Sequence, residues 1–199
     1  MKKNLILPLL LISSIALSQT GELNITPRPV EVKLTNSSQK FTLDRKTKII
    51  FGNSNKQKKT TEYFNAYLLE HYGFELSVQD HLDKWTTNDI QLRIETKDDE
   101  HKDKYSLDID KNSITLSSST QEGMFYGIQT LIQLLPKETK PEENKKLQIA
   151  ALTINDYPRF AYRGMHLDVA RHFFPTSYIK KYIDYLALHK FNYFHWHLT

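Results

Sequence analysis

The sequence predicts an α+β domain followed by the opening elements of a separate α/β domain. Two patterns lead there. From Val30 to Asp156, alternating apolar strands are interrupted by two stretches of helical periodicity, an order that packs helices on a largely antiparallel sheet. From Gly164 to Leu198 the order becomes strand, loop, helix, strand, the spacing of a βαβ unit with parallel strands. One such unit cannot cover both faces of its strands, so it marks the beginning of a larger α/β sheet.

Composition permits a packed core and narrows the function classes. The chain of 199 residues is 39% hydrophobic and 25% charged, an ordinary globular balance. Its net charge of +4 is scattered. The run Lys56 to Lys59 has no interleaved aromatics and reads as a solvated loop or helix start, so no nucleic-acid partner is expected. The absence of cysteine removes disulfides, thiolate zinc sites, cysteine nucleophiles and a lipid anchor on an N-terminal cysteine.

Residues 1–18 have the layout of a secretory signal. Lys2 and Lys3 supply the positive end, Leu5 to Leu17 the apolar stretch, and Ala16-Leu17-Ser18 the small residues of a cleavage site before Gln19. The apolar stretch is too short to span a bilayer comfortably, so no stable membrane span is expected after cleavage. The short, lysine-rich start points to a bacterial chain exported to the periplasm or beyond.

Residues 19–156 form the predicted first domain. Pro27 and Pro29 keep its lead-in extended. Val30, Val32 and Leu34 alternate as in a strand, as do Phe41 and Leu43, and Lys48 to Phe51 is a short apolar strand closed by a Gly52-Asn53 turn. Tyr63, Phe64, Tyr67, Leu68 and Tyr72 recur at helical spacing over Thr60 to Tyr72, with Gly73 as the stop. Phe74 to Val78 and Ile90 to Ile94 alternate again. Tyr105 to Ile109 and Ile114 to Leu116 flank Asp110-Lys111-Asn112 as a hairpin. Met124, Phe125, Ile128, Leu131, Ile132 and Leu135 form a second helical stripe, ended by Pro136, whose most economical role is core packing. Leu147 to Ile154 returns to strand.

Residues 157–199 carry the candidate chemistry. Thr176 or Ser177 can cap a helix with Ile179, Tyr182, Ile183 and Leu186 on its apolar face. In βα architectures functional side chains gather at the C-terminal ends of strands and in the loops that follow. Asp168 and Arg171 to Phe174 occupy one such position, and His195 to Thr199 the other. Arg171 offers fixed guanidinium donors suited to the hydroxyls of a sugar or to a carboxylate, and an ion pair to Asp168 is the competing reading. Asp168 suits a ligand, an acid/base role or a supporting salt bridge. His195 and His197 share one strand face. They suit either a divalent metal or hydrogen bonds that support a neighbouring site. Trp196 points to the opposite face and is expected as core between strand and helix. His172, Phe173 and Phe174 line a pocket or pack the loop.

The run from Arg159 to Pro175, RFAYRGMHLDVARHFFP, and the run from Lys190 to Thr199, KFNYFHWHLT, closely resemble the start of the catalytic barrel of β-N-acetylhexosaminidases, glycoside hydrolase family 20. The preceding domain, with Glu122 to Leu134 as its helix region, is similar to that family's N-terminal domain. The resemblance implies that residues 157–199 begin a (β/α)8 TIM barrel, with only its first two strands and one helix present. It also implies exo-hydrolysis of terminal N-acetylglucosamine or N-acetylgalactosamine from glycans, without a cofactor. In that scheme the substrate's own acetamido group is the nucleophile, an exception to two-carboxylate glycoside hydrolysis. Arg171 matches the family arginine that binds hydroxyls of the terminal sugar, and Arg163 a nearby structural arginine. Asp168, His172, His195 and His197 are supporting candidates. In the family, His-Trp-His-Leu-Thr is followed at once by an Asp-Asp pair, and the catalytic Asp-Glu pair lies on a later strand. No catalytic residue is therefore expected before Thr199, and the 199 residues alone are expected to be an inactive part of a barrel. Ile179, Phe191, Phe194 and Trp196 would then lack partners.

Two other functions compete. A non-catalytic glycan-binding or interaction module would keep the first domain without the enzyme. A metal-dependent TIM-barrel hydrolase would use His195 and His197.

Overall fold

The computed structural model describes residues 23–35, 38–52, 55–79, 87–95, 101–137, 140–142 and 144–199. The predicted signal at 1–18, its cleavage site and Asn53 of the predicted turn lie outside the described residues.

A mixed seven-stranded sheet forms the first domain, with strand order β1-β9-β6-β7-β5-β3-β4. Its strands are β1 (Glu31–Leu34), β3 (Lys48–Phe51), β4 (Ser77–Gln79), β5 (Asp89–Ile94), β6 (Tyr105–Ile109), β7 (Ser113–Ser118) and β9 (Leu152–Asp156). A separate antiparallel pair joins β2 (Lys40–Leu43) to β8 (Leu147–Ala150). The sheet is not largely antiparallel as its pattern suggests. The β3–β4, β3–β5 and β5–β7 ladders are parallel, and only the β1–β9, β6–β9 and β6–β7 ladders are antiparallel. The crossover helix α1 (Asn55–Tyr72) accounts for the β3–β4 ladder, because it returns the chain to the end where β3 began, and β5 and β7 run parallel because the antiparallel β6 intervenes between them in the chain.

Most predicted elements appear near their expected positions. α1 starts earlier than its apolar spacing, so Lys58 and Lys59 stand on its first turns. It stops at Gly73, whose left-handed φ of 81° suits glycine and whose N–H donates to the Leu68 and Leu69 carbonyls. The β6–β7 hairpin turns where Asp110 accepts from the backbone N–H of Asn112 and Ser113. Thr120 caps the second helix, α2 (Gln121–Leu134), by accepting from the Gly123 N–H at 3.0 Å.

The single strand expected over Leu147 to Ile154 is two. The chain changes sheets at Ala151, whose N–H donates to Gln39, so β8 pairs with β2 while β9 enters the main sheet. Val32 and Leu34, whose alternation suggests a buried face, are exposed because β1 is the sheet edge.

The core lies between the sheet and its helices. Phe64 and Leu68 from α1 and Met124, Ile128 and Leu131 from α2 are fully buried against Ile90, Leu92, Leu107, Leu116 and Ile154. α2 is apolar around most of its circumference because it packs on the sheet, on α1 and on a third helix, α3 (Thr176–Leu188). Gly123 admits the close approach of α2, since a Cβ there would meet the Asp103 carbonyl oxygen at 2.7 Å and the Ser118 hydroxyl.

Beyond Asp156, β10 (Gly164–Asp168), α3 and β11 (Tyr193–His197) form a parallel βαβ unit. No closed barrel forms among the described residues. Pro175, not Thr176 or Ser177, occupies the N-cap of α3, and no side chain caps it. Proline's fixed φ suits the entry to a helix without a capping oxygen.

Candidate functional site

The parallel register of β10 and β11 brings the predicted polar residues together. His166 lies beside His195 and Asp168 beside His197. Alternation along each strand puts these four side chains on one face and Met165, Leu167, Phe194 and Trp196 on the other. The His166 ring centroid stands 4.6 Å from that of His195 and 5.8 Å from that of His197.

Asp168 is the hub of this face. One carboxylate oxygen, Oδ1, accepts from the backbone N–H of Ala170 at 2.9 Å and of Arg171 at 3.1 Å. The other, Oδ2, accepts from Arg171 Nη1 at 2.7 Å. The side chain thus folds the loop after β10 back onto the strand end. The Arg171 N–H foremost, then His197 and the Ala170 N–H, hold the Asp168 carboxyl down at about 2, against the upward push of desolvation. It is therefore ionised at neutral pH. His197 Nδ1 approaches Oδ1 at 3.2 Å, an ion-pair distance if the ring is protonated, but off hydrogen-bond geometry.

Arg171 makes its ion pair to Asp168, and its side chain is still 78% exposed. Nη1 is engaged, while the remaining guanidinium donors face outward with no protein partner among the described residues. An arginine pinned at one nitrogen and open at the others can grip neighbouring hydroxyls at little entropic cost. Of the two readings of Arg171, the ion pair to Asp168 forms, and it leaves the other guanidinium donors open. His172 stands exposed in the same loop and shares none of these bonds, and Phe173 is 89% exposed.

His166 is the residue that sequence reasoning overlooked. The available signal was its position two residues before Asp168, which fixes it on the same strand face. Among the described residues no three His, Asp or Glu side chains converge as metal ligands.

The opposite face corrects the expectation for Ile179 and Trp196. Ile179 is buried, with 7% exposure, because the α3 face carrying it packs inward. Trp196 is 47% exposed, because α3 covers only part of a two-stranded layer. Tyr182 meets Phe194 with centroids 5.5 Å apart, and Phe194 stacks on Trp196 at 5.9 Å.

Both strands start from one junction. The Arg163 guanidinium donates to the Lys190 carbonyl at 2.8 Å, the Phe160 carbonyl at 2.7 Å and the Tyr126 hydroxyl at 2.8 Å. Its backbone N–H donates to Asn192 Oδ1, and its carbonyl accepts from the Asn192 and Tyr193 N–H groups. Arg163 thus aligns the starts of β10 and β11 and ties them to α2.

Residues 22–157 match the model of glycosyl hydrolase family 20, domain 2, and residues 160–199 that of the family 20 catalytic domain. The chain belongs to glycosyl hydrolase family 20. Within this family, it is 37% identical over 180 residues to a β-hexosaminidase of Porphyromonas gingivalis, a match that covers 89% of this chain and 22% of that protein. The family 20 β-N-acetylhexosaminidase structure from Streptomyces coelicolor superposes with a TM-score of 0.75 at 31% identity, covering 88% of this chain and 34% of that one. The exo-β-N-acetylglucosaminidase of Vibrio harveyi, solved in complex with N-acetylglucosamine, gives 0.73 at 29% identity over 88% of this chain and 25% of that one. The chain therefore spans about a quarter to a third of these relatives' lengths. The Asp168–Arg171 loop and the His195–His197 strand lie in the segment that matches the catalytic-domain model.

Proposed function

We propose that this chain provides the N-terminal domain and the first part of the catalytic barrel of a β-N-acetylhexosaminidase that removes terminal N-acetylhexosamine from glycans. The observation that carries the reading is Arg171, pinned by Asp168 with its other donors turned outward, inside the segment that matches the family 20 catalytic domain. In this role Arg171 binds hydroxyls of the terminal sugar. Asp168 holds its guanidinium, and His166, His195 and His197 line the same strand face. The acetamido group of the sugar is the nucleophile, assisted by an Asp-Glu pair contributed from beyond Thr199. Residues 1–18 direct export to the periplasm or the cell exterior.

The test is binding rather than turnover. Saturation-transfer NMR of N-acetylglucosamine with the chain is expected to give contacts that Arg171→Met abolishes and Arg171→Lys weakens. Equal signals from all three proteins would refute the role of Arg171. Release of a chromogenic aglycone from an N-acetylglucosaminide by these 199 residues alone would overturn the assignment of the catalytic pair to residues beyond them.

A further inference from the structure

Lys190 breaks a local rule. It follows the C-cap of α3 with a left-handed φ of 60°, where glycine is the favoured residue. It is also a lysine with only 4% exposure. A strained backbone and a buried ammonium at one position indicate a surrounding structure that over-determines it.

That surrounding structure is a buried polar cluster across the boundary between the first domain and the βαβ unit. The Lys190 ammonium donates to Asp156 Oδ2 at 2.9 Å and to the Tyr105 hydroxyl at 2.8 Å. Tyr105 has one proton and donates it to Asp156 Oδ2 at 2.8 Å, so it accepts from Lys190 and, at 2.6 Å, from Thr130. Burial first, then the Asp156 charge, push the Tyr105 hydroxyl well above its ordinary value, which keeps that proton in place. The backbone of Lys190 binds two further elements. Its N–H donates to Ala187 in α3, and its carbonyl accepts from Arg163 at the entry to β10.

We infer that Lys190 is a positioning residue: its ammonium, seated on Asp156 and Tyr105, fixes where β10 and β11 leave the first domain and so orients the His166, Asp168, His195 and His197 face. β10 begins one residue after Arg163, and β11 three residues after Lys190. Both departures are therefore set within the Arg163–Lys190 junction. The inference concerns the strand pair and does not depend on the sugar-binding role of Arg171, so the two can fail separately.

Ligand-free measurements on the whole chain test it. Lys190→Met removes the ammonium, Lys190→Gly also relieves the backbone, and Tyr105→Phe removes one hydroxyl partner. Hydrogen exchange in peptides covering 164–168 and 193–197 should quicken at least tenfold more than in β5 and β7 for both Lys190 variants, beyond the general rise that the loss of stability brings. The His195 and His197 ring resonances should shift in the same variants, and Tyr105→Phe should move both readouts in the same direction by less. Strand exchange that rises no more than in β5 and β7, with unchanged histidine resonances, would overturn the inference. So would slower exchange in Lys190→Gly, because local backbone strain would then outweigh the ammonium. If Lys190→Met fails to fold, Tyr105→Phe decides on the same readouts.

Discussion

Replacing Asp156 by alanine should be among the most damaging single changes in the chain. The carboxylate accepts three bonds: from Lys190 at 2.9 Å, from Tyr105 at 2.8 Å and from the Val30 N–H at 3.2 Å. The Lys190 and Asp156 side chains are only 5% and 9% exposed, so water cannot take over. Removing one partner of such a pair costs about 3–5 kcal/mol, because an uncompensated charge stays buried. Replacing both with apolar groups of similar size is often neutral or stabilising by about 1–4 kcal/mol. The double variant Asp156→Leu/Lys190→Met should therefore be far more stable than either single change would imply. Urea unfolding followed by far-UV circular dichroism measures this through the midpoint, provided the slope is unchanged. A cost below about 1 kcal/mol for Asp156→Ala, or simple additivity in the double variant, would refute the reasoning.

Two further changes probe the fold and the site. Gly123→Ala gains about 1 kcal/mol of helix propensity but drives a methyl into the Asp103 carbonyl; overpacking of about 1–3 kcal/mol should win, lowering the urea midpoint. Asp168 is held at about 2, below its ordinary 3.8, so its contribution is complete above 3.8 and fades as pH falls toward about 2. NMR should therefore show the Ala170 and Arg171 amides losing their bonded shifts in a transition centred at about pH 2. A transition centred near 3.8 would mean that the carboxylate is not held.

Much of this architecture is legible along the chain because its causes are local. Apolar spacing marks α1 and α2, glycine closes α1, threonine opens α2, and Asp110 turns the hairpin. The predicted site residues are legible for the same reason, since a strand's period of two puts His195 beside His197 in space. The failures have non-local causes. Alternation cannot tell parallel from antiparallel pairing, nor an edge strand from a central one, so the mixed sheet and the exposed Val32 and Leu34 escape it. The break at Ala151 depends on a bond to Gln39, distant in sequence.

The candidate site shows the same division. The sequence by itself determined which side chains stand at the ends of β10 and β11, because strand and loop positions follow from periodicity. It also carried the family, through the runs Arg159 to Pro175 and Lys190 to Thr199. Only the tertiary structure decided that Asp168 holds Arg171 by one nitrogen, and that His166 joins the histidines across the strand pair. It alone placed the Lys190 ammonium on Asp156 and Tyr105. The histidine and lysine contacts join residues far apart in the chain, so they exist only once packing has closed the loops between them and excluded water, whereas the Asp168–Arg171 bond spans three residues and needed the loop's folded geometry to choose it over the alternatives.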